Sequence, residues 1–303
     1  GPAAGSSAFR KNWNFSGSGT PSFPLHDAAA AGNASEVGEL VKAGRNVNEV
    51  RSWQERGGGP FSPTKGDGAT PLIAACDAAK ISVLEMLYRV RGSVTVEPEK
   101  SKYVAVAKVV LDAGASVDAT CKTLQGETAL HRAAKAGNVE DIQELVKVRA
   151  DVNKPRSFTV KKGFGEETTG DGSTPLHCAA SGGHVPAIEA LVKAGAELDK
   201  PNNNGSSALL VTCDADKISV LEMFRRVRGS ATVEPDKAKY VDVARVLLEA
   251  GASVDATKYG IDGRTALHEA CGAGDVEGIE ALLQAGAEGD KQDANGLTPL
   301  HAA

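Results

Sequence analysis

The chain has 303 residues, a formal net charge of -5, 34 glycines and only 4% aromatic residues. It contains no run of about 18 apolar residues, which excludes a membrane-spanning helix, and its acidic balance argues against a general nucleic-acid binder. Scarce aromatics with abundant small residues suit short helices packed closely, and the length fits either two ordinary domains or one repeat array.

In chain order, Gly1-Pro2 has the form of a residual protease-cleavage scar, so the native start is hidden. Residues 3–21 are rich in Gly, Ser and Asn without a helical period and are expected to form a flexible N-terminal arm, with Phe9, Trp13 and Phe15 as its apolar spots. From residue 22 a four-residue core recurs. Its copies begin at Phe23, Thr70, Thr128, Thr174, Ser207, Thr265 and Thr298, separated by 47, 58, 46, 33, 58 and 33 residues. A recurring period of this size predicts stacked units with no single central core. Six full repeats begin near residues 22, 68, 126, 172, 205 and 263, and a truncated seventh begins at 296. That abrupt end leads to the expectation that the natural chain continues past Ala303, since an array normally closes with a polar capping unit.

The unit at 170–199 shows the physical logic. Thr174 suits a helix N-cap and Pro175 the first helical position, where a missing N–H costs nothing. Leu176, Ala179 and Ala180 form a narrow apolar stripe, and Gly182-Gly183 ends the helix. Val185, Ile188, Leu191 and Val192 give a second helix, and Glu197–Gly205 a hairpin-like turn. Neither helix is long enough to be stable alone. Cys76, Cys178, Cys213 and Cys271 follow the cores at helical positions, and with Cys121 they make an odd count. That pattern points to reduced, buried thiols in a reducing compartment.

Two repeats, the second and fifth, carry 25 extra residues. Ala79 and Asp216 stand where other repeats have the glycine that ends the first helix, and Ile81, Leu84, Leu87 and Ile218, Leu221, Phe224 continue the apolar spacing. The pattern predicts that the first helix runs on to about Arg91 and Arg228, a rod of about 33 Å, with a second helix from Pro98 or Pro235. Two elongated helical hairpins would then project from the edge opposite the hairpin-like turns. The alternative is a kink near Asp77 or Asp214 followed by a separate short helix. Residues 77–120 and 214–257 match at 34 of 44 positions at an offset of 137, whereas the repeats after them match at 13 of 28, so a block was duplicated. Both copies hold Arg-Val-Arg-Gly-Ser, which would place Arg89, Arg91, Arg226 and Arg228 at exposed tips suited to carboxylate or phosphate.

Two turns are also enlarged, one over about 49–67 with Trp53, Arg56 and Phe61, the other over about 154–171 with Arg156, Phe158, Lys161 and Phe164. Loop extension costs little entropy, yet aromatic and arginine residues on loops are favoured anchors. Segments 51–66, 80–102, 154–169 and 217–239 carry +2, +2, +2 and +3, leaving -14 for the remaining residues. The basic insertions either contact the acidic body or meet an acidic partner.

The strings Asp171-Gly172-Ser173-Thr174-Pro175-Leu176-His177-Cys178-Ala179-Ala180 and Leu191-Val192-Lys193-Ala194-Gly195-Ala196 resemble the ankyrin repeat family, as do Asp262–His268 and Ala285-Gly286-Ala287. The resemblance covers about residues 22–303. It implies an all-α, slightly curved solenoid of helix-turn-helix units with hairpin fingers, and binding of another protein through the fingers and inner helices. It also gives His26, His131, His177, His268 and His301 one structural slot, bonding near the Thr cap and linking neighbouring repeats. About 10 Å apart, they cannot share a metal. No phosphate loop, Ser elbow, paired carboxylates or Cys-X-X-Cys is present in a convincing setting, so neither an enzyme nor a cofactor is expected. The reading is a monomeric cytoplasmic scaffold or adaptor whose partner presents an acidic surface. Its contacts are Trp53, Arg56, Phe61, Arg89, Arg91, Phe158, Lys161, Phe164, Arg226 and Arg228. Alternatives are the targeting module of a larger enzyme or ubiquitin-ligase adaptor, or a secreted pathogen effector acting in host cytoplasm; a nuclear location is also compatible.

Overall fold

The computed structural model describes residues 22–51, 68–120, 124–162, 165–216, 218–229, 231–257 and 263–303, with side chains outside 158–169 and residue 216. The N-terminal arm lies outside the described residues. Two compact units are present. The first holds α1 (Pro24–Ala31), α2 (Ala34–Lys42), α3 (Pro71–Ala79), α4 (Val83–Val90) and α5 (Ser101–Asp112). The second begins with α6 (Ala129–Ala136) and α7 (Val139–Lys147). An antiparallel ribbon, β1 (Phe158–Lys162) with β2 (Gly165–Thr169), groups with the first unit. The second unit resumes with α8 (Pro175–Gly182), α9 (Val185–Lys193), α10 (Ala208–Asp216), α11 (Val220–Val227), α12 (Ala238–Glu249), α13 (Ala266–Gly272), α14 (Val276–Gln284) and α15 (Pro299–Ala302). Apart from that ribbon, the regular elements among the described residues are helices paired as the periodicity predicts.

Stacking follows from small buried side chains. Ala28, Ala75, Ala133, Ala179 and Ala270 are buried at one repeated position, whose small side chains let packed first helices approach closely. Thr212 takes the same slot in α10, and its hydroxyl is satisfied by donating to the Ala208 carbonyl at 2.9 Å. Within the first unit α1 packs on α3 and α2 on α5; within the second, α8 packs on α10 and α9 on α7 and α12.

The histidine slot ties one repeat to the next. Thr174 donates its backbone N–H to His177 Nδ1 at 3.1 Å, so Nδ1 is an acceptor and the proton sits on Nε2. Nε2 then donates to the Ser206 carbonyl of the following repeat at 2.8 Å. His131 reaches Ser173 O at 2.8 Å and His268 reaches Leu297 O at 3.0 Å in the same way. His26 reaches Ala69 O at 2.9 Å, but Phe23 replaces the capping threonine, and Nδ1 is left buried without a partner.

A second ladder runs along the fingers. Asn48 donates Nδ2–H to Gly114 O at 3.2 Å and accepts from Ser116 N at 2.8 Å. Asn153 repeats this pair of bonds with Gly195 O and Glu197 N, at 3.2 and 2.8 Å. A third connection covers helix ends. Lys102 lies on Gly32 and donates to Ala31 O at 3.2 Å, and Lys239 lies in the same way on Gly183. Both glycines have positive φ, and a Cβ there would meet the lysine stem at 2.7 Å. The lysine charge sits where the helix dipole favours it.

The two elongated hairpins are not formed. α3 ends after nine residues at Lys80 in the left-handed region (φ 56), with Ile81 N–H returning to Cys76 O at 3.1 Å. Ser82 then caps α4 by accepting from Glu85 N at 3.1 Å, and Ser219 caps α11 by accepting from Glu222 N at 3.2 Å. The separate short helix is the correct alternative, although the break falls at Lys80–Ser82, beyond Asp77. The following helix starts at Ser101 or Ala238, three residues past the proline, because Pro98 to Lys100 form a turn closed by Lys100 N to Glu97 O at 2.9 Å. The inserted helices do not project; they fold back and bury Met86 and Met223 almost completely. α11 packs on α12 and α13, and its Leu221 and Phe224 share a core with Ala266, Leu267, Ala270 and Leu282 of the sixth repeat.

Arg149 stands where the other repeats place Gly44, Gly114, Gly195, Gly251 and Gly286 after the second helix, and like them it has positive φ (64°). A side chain in this region costs about 1 kcal/mol. Arg149→Gly is expected to raise stability by about 0.5–1 kcal/mol in denaturant titration. His177→Ala is expected to lower it by about 2–4 kcal/mol, because buried groups of Thr174 and Ser206 lose their partner. Burial pushes His177 below its ordinary value near 6.5, outweighing its bond to Ser206 O. Its contribution is therefore complete above pH 6.5 and is lost as pH falls below that value, and a melting series in wild type and His177→Ala should show the difference closing in acid.

Candidate functional site

The enlarged fingers share one construction at their base. Arg51 N donates to Ala69 O at 2.9 Å and Gly68 N to Arg51 O at 3.1 Å. Arg156 N donates to Ser173 O at 2.7 Å and Gly172 N to Arg156 O at 3.2 Å. In the second of these the Arg156 guanidinium also clamps Asp171, with Nε–H to Oδ1 at 2.8 Å and Nη2 to Oδ2. Asn203 braces the clamp from the next finger, donating Nδ2–H to Gly170 O at 2.7 Å and its backbone N–H to Asp171 O at 2.8 Å. Burial alone would raise the Asp171 pKa, but bonds from Arg156 and Ser173 outweigh it and bring it down to about 2.

Beyond that base the chain continues as the ribbon, in register Phe158–Thr169, Val160–Glu167 and Lys162–Gly165. Thr120 braces its root by donating to Ser157 O at 3.2 Å. Phe158 and Lys161 therefore belong to β1, while their side chains lie outside the described set. Trp53, Arg56, Phe61 and Phe164 lie outside the described residues altogether.

The four insertion arginines separate into two kinds. Arg89 is 6% exposed; it donates to Glu85 at 2.6 Å and to both oxygens of Glu97 at 3.2 Å. It is an internal clasp that holds the link after α4 and not an exposed contact, which corrects the sequence reading. Arg226 is nearly buried and donates to Glu222 at 3.2 Å. Arg91 and Arg228 are exposed, and Arg228 sits 5.8 Å from the Phe224 ring. Arg225, which the spacing did not single out, bonds Asp275 through Nε at 3.2 Å and Nη2 at 2.5 Å. Asp275 is also the N-cap of α14, accepting from Gly278 N at 3.0 Å. The Arg225 bond, then Gly278 N–H, holds Asp275 below the usual carboxylate range. At these residues the basic insertions do contact the acidic body, the first of the two options open from charge alone.

Beside that ion pair is a cleft of about 290 Å³, with Phe224 and Arg225 on α11 and its C-cap Arg228 facing Glu277, Glu280 and Gln284 on α14. Its opposed charges face one another with no nucleophile and base in contact, so its chemistry is that of packing. Among the described residues no group of three His, Cys, Asp or Glu could hold a metal, and no helix is long and apolar enough to cross a membrane. Cys76, Cys178 and Cys213 are buried thiols and Cys271 is half-buried.

The Arg156–Asp171 clamp should be measurable. Asp171→Asn is expected to destabilise the chain by about 1 kcal/mol, allowing for the clamp's partial exposure. The depressed pKa sets the sign: the contribution is complete above the ordinary value of 3.8 and is lost as pH falls toward 2. Denaturation of both proteins between pH 2 and 7 should show the gap closing only below about pH 4.

Family comparisons agree with this architecture. Residues 235–303 match the description "Ankyrin repeats (3 copies)", 171–203 "Ankyrin repeat" and 99–146 "Ankyrin repeats (many copies)". Over 62 residues the chain is 44% identical to mouse ankyrin repeat and SOCS box protein 16 and 42% identical to its human counterpart. Those matches cover 20% of this chain and 13% of each relative. With the histidine slot, the threonine caps and the finger ladder all in place, the chain belongs to the ankyrin repeat family.

Proposed function

We propose that the chain is a protein-binding scaffold whose principal contacts are its two enlarged fingers. The observation that carries this reading is the matched base of those fingers. Each is closed by the same pair of backbone hydrogen bonds around an arginine, Arg51 or Arg156. A fixed base makes additional loop length usable for recognition, since the base itself needs no ordering on binding. The added residues include Trp53, Phe61, Phe158 and Phe164 with Arg56 and Lys161, the kinds favoured as interface anchors. Arg91 and Arg228, exposed at the ends of the inserted helices, are secondary contacts; Arg89 and Arg226 are structural. The surplus positive charge of both fingers fits a partner with an acidic surface.

A second reading places the array as the targeting part of a longer protein. It is favoured by the match to relatives whose name pairs ankyrin repeats with a further box, over only 13% of their length. Sequencing the transcript downstream of the codon for Ala303 tests it, and a stop after one capping repeat would remove it.

The finger assignment is tested by affinity capture from native extract. One bait is the unaltered chain and the other carries Trp53→Ser, Phe61→Ser, Phe158→Ser and Phe164→Ser, with circular dichroism to show that helix content is kept. Recovery of the captured proteins is expected to fall at least about tenfold, the loss of one or two interface anchors. Equal recovery from both baits would refute the assignment.

A further inference from the structure

Asp118, Asp199 and Asp255 stand in the ladder slot that Asn48 and Asn153 fill in other repeats, and at the buried Asp255 the chemistry does not match the position. Asn48 and Asn153 each use both halves of the amide: the oxygen accepts a backbone N–H, and the NH₂ donates to the carbonyl of a glycine two residues earlier. The same slot in the fifth repeat holds Asp255. Its Oδ2 accepts from Glu288 N at 2.8 Å, as Asn153 Oδ1 accepts from Glu197 N. By the same register its Oδ1 takes the place of the donating amide, and the matching carbonyl is that of Gly286. A carboxylate has nothing to donate there. Oδ1 is buried and has no hydrogen-bond partner, and the residue is 6% exposed.

The surrounding charges compensate an anion only in part. Glu288, on the turn after α14, opposes it. Lys291 on the same turn is 3.6 Å from Glu288 and is largely matched there. His268 on α13 accepts Thr265 N–H at Nδ1 and bonds Leu297 O through Nε2, which uses the neutral ring. Asp199 shows the contrast: it fills the same slot one repeat earlier, accepts Ser253 N at 2.9 Å, and is exposed, so its second oxygen can meet water.

We propose that Asp255 is held in the folded array as the neutral carboxylic acid, donating its Oδ1–H to the Gly286 carbonyl, and that its ionisation loosens the sixth repeat from the fifth. The proton is shared by no other group, and ionisation releases it to solvent. Burial, the largest influence, raises the Asp255 pKa, with the Glu288 charge acting in the same sense and the Glu288 N–H, Lys291 and His268 against it. For a carboxyl raised on folding, the stabilising contribution is complete below the ordinary value of 3.8 and is lost as pH rises through the folded value. This dependence is opposite in sign to those of Asp171 and His177.

Carboxyl ¹³C NMR of the aspartate-labelled full chain reads the titration directly. The Asp255 resonance, assigned by its loss in Asp255→Asn, should titrate above the ordinary carboxyl value of 3.8. Hydrogen exchange at the amides of Glu288 and α14 reads the coupling. Relative to Asp255→Asn, whose amide supplies the donor at every pH, wild type should open about tenfold more at pH 8 and equally at pH 4. Titration of Asp255 at or below the ordinary value of 3.8 would overturn the proposal, as would an opening ratio between the two proteins that is the same at both pH values. If Asp255→Asn fails to fold, selective labelling with assignment through the Val254–Asp255 pair keeps the NMR test decisive on the unaltered chain.

Discussion

A hydrogen bond from an imidazole Nε2–H to a carbonyl one repeat away sets the terms for the rest of each unit. Where a threonine stands three residues earlier, as at Thr174 and Thr265, its backbone N–H bonded to Nδ1 fixes the tautomer that can donate. The imidazole bond requires small residues at the following positions, so that adjacent helices approach closely. It also makes helices of eight or nine residues viable, since their remaining stability comes from neighbours and not from their own backbone bonds. Where the slot is altered, the local chemistry adjusts. Ile73 replaces histidine, and Thr70 caps Ile73 N directly at 3.4 Å. Phe23 replaces threonine, and its ring lies edge-on to His26 at 5.5 Å.

The inserted helices obey the same economy. The 25-residue addition folds back into its own repeat, caps itself and buries a methionine. In the fifth repeat it also presents Leu221 and Phe224 to the next one. At the offset of 137, Arg225 and Asp275 correspond to Tyr88 and Asn138. Both halves of the ion pair changed together between the two copies, as expected when a charge on one side requires a counter-charge on the other.

Most of the helix pairing was legible from the sequence because it rests on local signals: Thr-Pro caps, glycine stops and three-four spacing. The break inside the insertion was legible too, in Ser82-Val83-Leu84-Glu85 and Ser219-Val220-Leu221-Glu222, but the absence of glycine and the continued apolar spacing outweighed it. Lys80 takes the left-handed conformation without the residue type that usually announces it. The role of Arg89 could not be read from the motif alone, since an arginine at a helix end is as compatible with solvent as with two glutamates, and the return of Glu97 depends on the turn. The paired duties of Asn48 and Asn153, and the mismatch at Asp255, become visible only when the next repeat is in place to supply the N–H and the carbonyl.

The finger base at Arg156 and Asp171 separates two tasks that are usually entangled in a loop. The bonds that close the turn and steady its neighbour involve Arg156, Asp171, Ser173 and Asn203, with Thr120 holding Ser157. From Phe158 to Thr169 the chain lies outside those bonds and runs as the ribbon. The interval is thus a natural cassette for diversification: new residues can be grafted or selected there for a different target while the joints between repeats keep their side chains.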